Sequence, residues 1–162
     1  MMQCTTYPDP IYFLDGYHGA PPRRLRKDPW DGRESADIAA VWVGRIGEAL
    51  GYGCADLARL KKLVRLVSLG GAHSFPAAKH PIAVAAQRLG RGEAASADAV
   101  GRAGAILHVA LRFTEMTLAR PGVKNVLPSI ALRELQAISD PLIADTVRGL
   151  ISCFSYRLSA AA

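Results

Sequence analysis

From Ser35 onward apolar residues recur every three or four positions, the spacing of a helix that buries one face. Ile38, Ala39, Trp42, Val43, Ile46 and Leu50 form the first such stripe. Ser35 is placed to cap it, Asp37 lies in its first turn, and Gly51 and Gly53 end it. Leu57, Leu60, Leu63, Val64 and Val67 form a second stripe, which predicts a helix over about 55–69 stopped by Gly70-Gly71. Its other side carries Arg59, Lys61, Lys62 and Arg65 within about 160°. A loop over 72–80 follows, and Pro81 opens a short third helix to Leu89. Gly90 to Ala95 reads as a linker. Ser96 is then placed to cap the longest helix, to about Ala119, with Asp98 in its first turn. Val100, Ala103, Ile106, Leu107, Ala110, Leu111, Phe113 and Leu118 give that helix a broad apolar face. Gly101 and Gly104 within it lower helix propensity, which the close approach of a neighbouring helix would offset. Arg120-Pro121-Gly122 breaks the pattern, and Pro128 starts a fifth helix to about Ile138. Ser139-Asp140-Pro141 then combines cap residues with a proline suited to the first helical position. The last stripe is Ile143, Val147, Leu150, Ile151, Phe154 and Leu158, with Asp145, Arg148 and Ser152 on the polar side.

Residues 1–33 break this periodicity. They hold five of the ten prolines, a turn signal at Asp15-Gly16 and one apolar run, Ile11-Tyr12-Phe13-Leu14. We read 1–33 as an extended, proline-containing arm laid on the body, and 34–162 as the helical domain. The fold class is therefore all-α, a single-domain bundle of about six helices with an extended N-terminal arm. A chain of 162 residues suits one domain, and at this size roughly 70% of the unfolded surface can be buried without a disulfide or metal staple. Few aromatics and many Ala and Leu residues favour helix packing over a β-sandwich.

Charge adds a surface to this picture. The formal net charge is +6, and residues 23–65 carry ten basic and six acidic side chains. Two clusters stand out. One is the helix face Arg59, Lys61, Lys62 and Arg65. The other is the arm segment Arg23, Arg24, Arg26, Lys27 and Arg33, with Tyr17, His18 and Trp30 interleaved. Cationic groups neutralise phosphates, and flanking aromatics stack on unpaired bases. The plainer reading is a solvated helix face, with Trp30 pinning the arm and Asp28 and Asp31 diluting its charge.

The motifs of catalysis and cofactor binding are missing from the chain: there is no GxSxG elbow, HExxH, Walker A or GxGxxG pattern. We therefore expect no cofactor and no metal site. His73 and His80 share a loop without a neighbouring carboxylate or thiolate. His108, Arg112 and Glu115 follow i, i+4, i+7 spacing on the polar side of the long helix, the arrangement of a solvated face. The three cysteines, Cys4, Cys54 and Cys153, are sparse and odd in number, which predicts free thiols in a reducing compartment, with Cys153 a small buried thiol. Met1 to Tyr7 lacks the features of a secretory signal, and Arg102, His108, Arg112 and Glu115 interrupt the longest apolar candidate for a transmembrane segment. The expected location is cytoplasmic.

The stretches Gln87-Arg88-Leu89-Gly90, Ser96 to Leu118 and Leu127 to Leu158, in this order and in a chain of this length, resemble the small α-helical subunit of CRISPR Cascade-type surveillance complexes. The resemblance covers half of the chain and rests on helix order. It implies a non-catalytic, basic protein that contacts guide and target strands through its surface. The proline-containing arm departs from the family, and no residue role transfers by position.

The first functional expectation is thus a non-catalytic subunit or accessory protein that binds RNA or DNA. The residues expected to carry that binding are Arg23, Arg24, Arg26, Lys27, Trp30, Arg59, Lys61, Lys62 and Arg65. The alternative is a protein-interaction factor (effector, inhibitor or adaptor) that joins a protein complex through the arm. A second alternative is an enzyme with a site near His73 and His80.

Overall fold

The computed structural model describes residues 33–69, 79–119 and 124–159, and the arm before Arg33 lies outside them. The described residues form six helices and no strand. These are α1 (Arg33–Ala49), α2 (Cys54–Leu69), α3 (Pro81–Gly90), α4 (Ala99–Thr117), α5 (Pro128–Gln136) and α6 (Pro141–Ser159). The all-α bundle expected from the periodicity is the fold observed. No described helix is long and apolar enough to cross a membrane.

The bundle is organised around α4, which packs against all five other helices. This explains its composition. Ala105, Ile106, Leu107, Val109, Ala110 and Phe113 are fully buried although together they span about 200° of the helix circumference. Two helical hairpins, α1–α2 and α3–α4, make the most extensive pairings. Trp42 of α1, Phe113 of α4 and Phe154 of α6 meet where three helices converge. The Trp42 and Phe113 rings are edge to face at 4.9 Å, and Trp42 stacks on Phe154 at 5.5 Å. Three hydroxyls enter this interior without a polar cost, because Thr114, Thr117 and Thr146 each donate to the carbonyl four residues earlier.

Helix ends follow local chemistry, though not always at the expected residue. After α1, Gly51 takes φ +81° and the chain closes a Schellman turn, with Tyr52 N–H donating to Gly47 O and Gly51 N–H to Glu48 O. The same pair of bonds recurs after α3, from Glu93 to Arg88 O and from Gly92 to Leu89 O, with Gly92 at φ +77°. The linker expected from Gly90 therefore begins later: Gly90 is still helical, and Gly92 supplies the left-handed residue that ends the helix. Asp140 caps α6 as expected, accepting from Leu142 N–H and Ile143 N–H. Two caps differ from expectation. Ser35 lies inside α1, which starts at Arg33, and α4 is capped by Asp98, which accepts from Gly101 N–H at 2.8 Å. Ser96 instead turns its carbonyl onto Gly101, leaving no room there for a Cβ. Of the two helix glycines, Gly104 admits the neighbouring helix, since α3 crosses it at Ala85 and Ala86. Gly101 admits the loop.

Candidate docking groove

At 100° per residue, the basic arc of α2 has two halves, Lys61 with Arg65 and Arg59 with Lys62. The fold uses them differently. Lys61 lays its side chain over Gly44 of α1, where a Cβ would collide with it. The Nε of Arg65 donates to Asp37 Oδ1 of α1 at 2.8 Å, and its side chain is only 38% exposed. Arg59, 83% exposed and 3.9 Å from Asp56, faces away from α1, as does the exposed Lys62. Between these two on the helix surface lies Leu66, 45% exposed.

Arg59, Lys62 and Leu66 border a groove of about 540 Å³ between α2, α3 and the start of α4. Leu60, Leu63, Ile82 and Ala103 provide an apolar floor, and Val100, expected in the core, is 38% exposed on its wall. Tyr52, Asp56 and His80 complete the rim. Burial raises the Tyr52 phenol above its ordinary pKa, against the opposing pull of Arg102. His80 also caps α3, its Nδ1 accepting from Ile82 N–H at 3.3 Å. Beyond Tyr52 the depression continues towards Leu50, Arg102 and Asp145.

The sequence-predicted site residues are thus divided. Arg59 and Lys62 come together on the groove rim, while Lys61 and Arg65 serve the α1–α2 seam. Arg23, Arg24, Arg26, Lys27 and Trp30 lie outside the described residues, as does His73, so the His73–His80 pair does too. Residues 1–32 hold four basic and four acidic side chains, so the net +6 belongs to residues 33–162. Leu66 and Val100 were missed by sequence reasoning. Leu66 is legible only as one apolar residue inside a basic arc.

A second depression, of about 640 Å³, lies between α3 and α4 and is bordered by His108, Arg112 and Glu115. Arg112 pairs with Glu115 at 3.4 Å, as the spacing predicts. His108 is half-buried rather than solvated, because Gly90 lets the end of α3 lie against its ring. Burial, and then Arg112, lower its pKa below the usual imidazole value. Among the described residues no three His, Cys, Asp or Glu side chains gather as a metal site. Cys153 is a free, half-buried thiol whose Sγ donates to Gly149 O, and burial raises its pKa to about 11. Cys54 is disulfide-bonded, which corrects the expectation of free thiols at that position. Cysteine count carries no information about which sulfurs the fold brings within bonding distance. No protein-family model, curated protein or solved structure matches the chain.

Proposed function

We propose that the chain is a non-catalytic protein-interaction module that docks an apolar segment with acidic flanks in the α2–α3–α4 groove. One observation carries this reading: Leu66 is exposed between two cations above an apolar floor. One exposed leucine is ordinary on a protein surface, but Leu66 and Val100 join the groove floor in one apolar lining, the form that a docking face takes. The groove volume falls within the range of ligand clefts, roughly 300–1,000 Å³. Completing the burial of Leu66 and Val100 is worth roughly 1 kcal/mol each, from the usual 1.5–3 kcal/mol for a whole aliphatic side chain. Arg59 and Lys62 at the rim favour carboxylates on the incoming segment and set its orientation more than its affinity.

Two fluorescent peptides test this reading by anisotropy. They share one apolar core, flanked by Asp in the first and by Lys in the second. The Asp-flanked peptide is expected to bind at least tenfold more tightly, and Leu66→Glu to abolish its binding while the helical circular dichroism spectrum persists. Wild-type affinity in Leu66→Glu would remove the groove from the account.

A nucleic-acid reading is favoured by a different observation, the location of the net +6 in the helical body. In that reading Arg59 and Lys62 contact phosphates, in line with the Cascade-type resemblance. It requires oligonucleotide binding that weakens steeply with salt. An RNA oligonucleotide that competes with the Asp-flanked peptide at 50 mM salt and loses that ability at 200 mM would support it.

A further inference from the structure

We infer that the chain's own segment Asp9 to Asp15 is the resident occupant of this groove, an inference that rests on the docking role proposed above. The segment reads Asp9-Pro10-Ile11-Tyr12-Phe13-Leu14-Asp15: four large apolar residues in a row between two carboxylates. It is the longest apolar run in residues 1–32, and it matches the groove in both respects. The apolar block suits the floor formed by Leu60, Leu63 and Ala103 and the exposed flanks of Leu66 and Val100. The flanking carboxylates suit Arg59 and Lys62, which with Asp56 give the rim a net positive charge. Fully extended, the four-residue apolar block reaches about 13 Å. Between Arg59 and Leu66 the α2 side of the groove runs for about 10 Å.

The length of chain outside the described residues makes the contact feasible. From Asp15 to the start of α1 at Arg33 the backbone can span up to about 60 Å, well beyond the dimensions of a body this size. Because the segment is covalently attached, its effective concentration at the groove is of millimolar order. An affinity too weak to matter between separate molecules is then enough to occupy the site. An external segment present at micromolar concentration must bind about a thousandfold more tightly to displace it. The arm would therefore set a threshold that only a well-matched partner passes.

The test uses the full chain. Amide spectra of the wild type are compared with those of a Tyr12→Ser, Phe13→Ser double variant. Shifts are expected at Leu60, Leu63, Leu66, Val100 and Ala103, far from the substitutions in sequence. The same variant should bind the Asp-flanked peptide at least tenfold more tightly than wild type, because the competitor has been weakened. Charge exchange provides a second arm: Asp9→Lys with Asp15→Lys should reproduce the groove shifts, and adding Arg59→Glu with Lys62→Glu should reverse them. Shifts confined to residues 1–32, with equal peptide affinity in both proteins, would overturn the inference while leaving the docking role intact. If the peptide binds neither protein, the docking role fails, and the inference falls with it.

Discussion

Gly104→Ala sets two opposing energies against each other, and the structure decides which wins. Alanine in a helix interior is favoured over glycine by about 1 kcal/mol, so on helix propensity alone the variant should be more stable. Gly104, however, lies where α3 crosses α4. A Cβ placed on it would be 2.7 Å from Ala85 Cβ, 3.1 Å from Ala86 N and 3.2 Å from the Ala85 carbonyl carbon. Two of these three atoms are backbone, so no side-chain rotation relieves the contact. The helices must separate by somewhat less than 1 Å to reach ordinary van der Waals distance. A gap of that size forfeits a quarter to a half of the dispersion energy of each contact it opens. The affected seam includes Ala83, Ala86, Leu89 and Ala103, all buried. Overpacking of this kind costs about 1–3 kcal/mol. Set against the gain in propensity, a net loss of up to roughly 2 kcal/mol is expected. Urea unfolding followed by circular dichroism measures it, and the thermal midpoint should fall by up to about 8 °C for a domain of this size. Gly90→Ala is the comparison, since a Cβ there meets only the His108 ring, Cε1 at 3.4 Å and Nδ1 at 3.5 Å, and should leave stability unchanged or raised. Ala85→Gly combined with Gly104→Ala should show a favourable coupling of about 1 kcal/mol, because the first change removes the closest of the three contacts, leaving the two backbone ones. A Gly104→Ala protein more stable than wild type would refute the argument, showing that the α3–α4 seam yields at no cost.

Two further predictions concern titratable groups. His108 has a lowered pKa in the folded state, so the unfolded chain takes up its proton first as pH falls. Its stability contribution is complete above the unfolded value of 6.5 and is lost as pH falls from there towards the folded value, with Arg112 and Glu115 the charged groups beside it. His108→Gln should flatten the pH dependence of the urea midpoint in that window, and an imidazole midpoint at or above 6.5 by proton NMR would contradict the burial argument. The Cys153 thiol, with its pKa of about 11, should react with a disulfide reagent at pH 8 at least tenfold more slowly than an unfolded control, and reaction at the control rate would show the site open to solvent.

Much of the fold was legible in the sequence, because helix formation depends on information within one or two turns. The apolar stripes of α1, α2, α4 and α6 follow from spacing alone. Pro81, Pro128 and Asp140-Pro141 start helices where proline geometry and a capping carboxylate allow it. Finer placements went to competitors a few residues away. Asp98 rather than Ser96 caps α4, and Gly92 rather than Gly90 takes the left-handed conformation. The first choice goes with the packing of the loop between α3 and α4, which sets the Ser96 carbonyl against Gly101, and the second with the bonds from Gly92 to Leu89 O and from Glu93 to Arg88 O.

The candidate site belongs to this second kind of information. The sequence by itself determined that α2 has one apolar stripe and one basic arc, because periodicity sets the angle of each side chain about its own helix axis. Which angles are then covered by α1 and which stay open is decided by helix packing. Only the tertiary structure laid Lys61 over Gly44, tied Arg65 to Asp37 and left Leu66 exposed between Arg59 and Lys62. A helix fixes its own faces locally, but a groove needs three helices, and its position depends on contacts far apart in the chain.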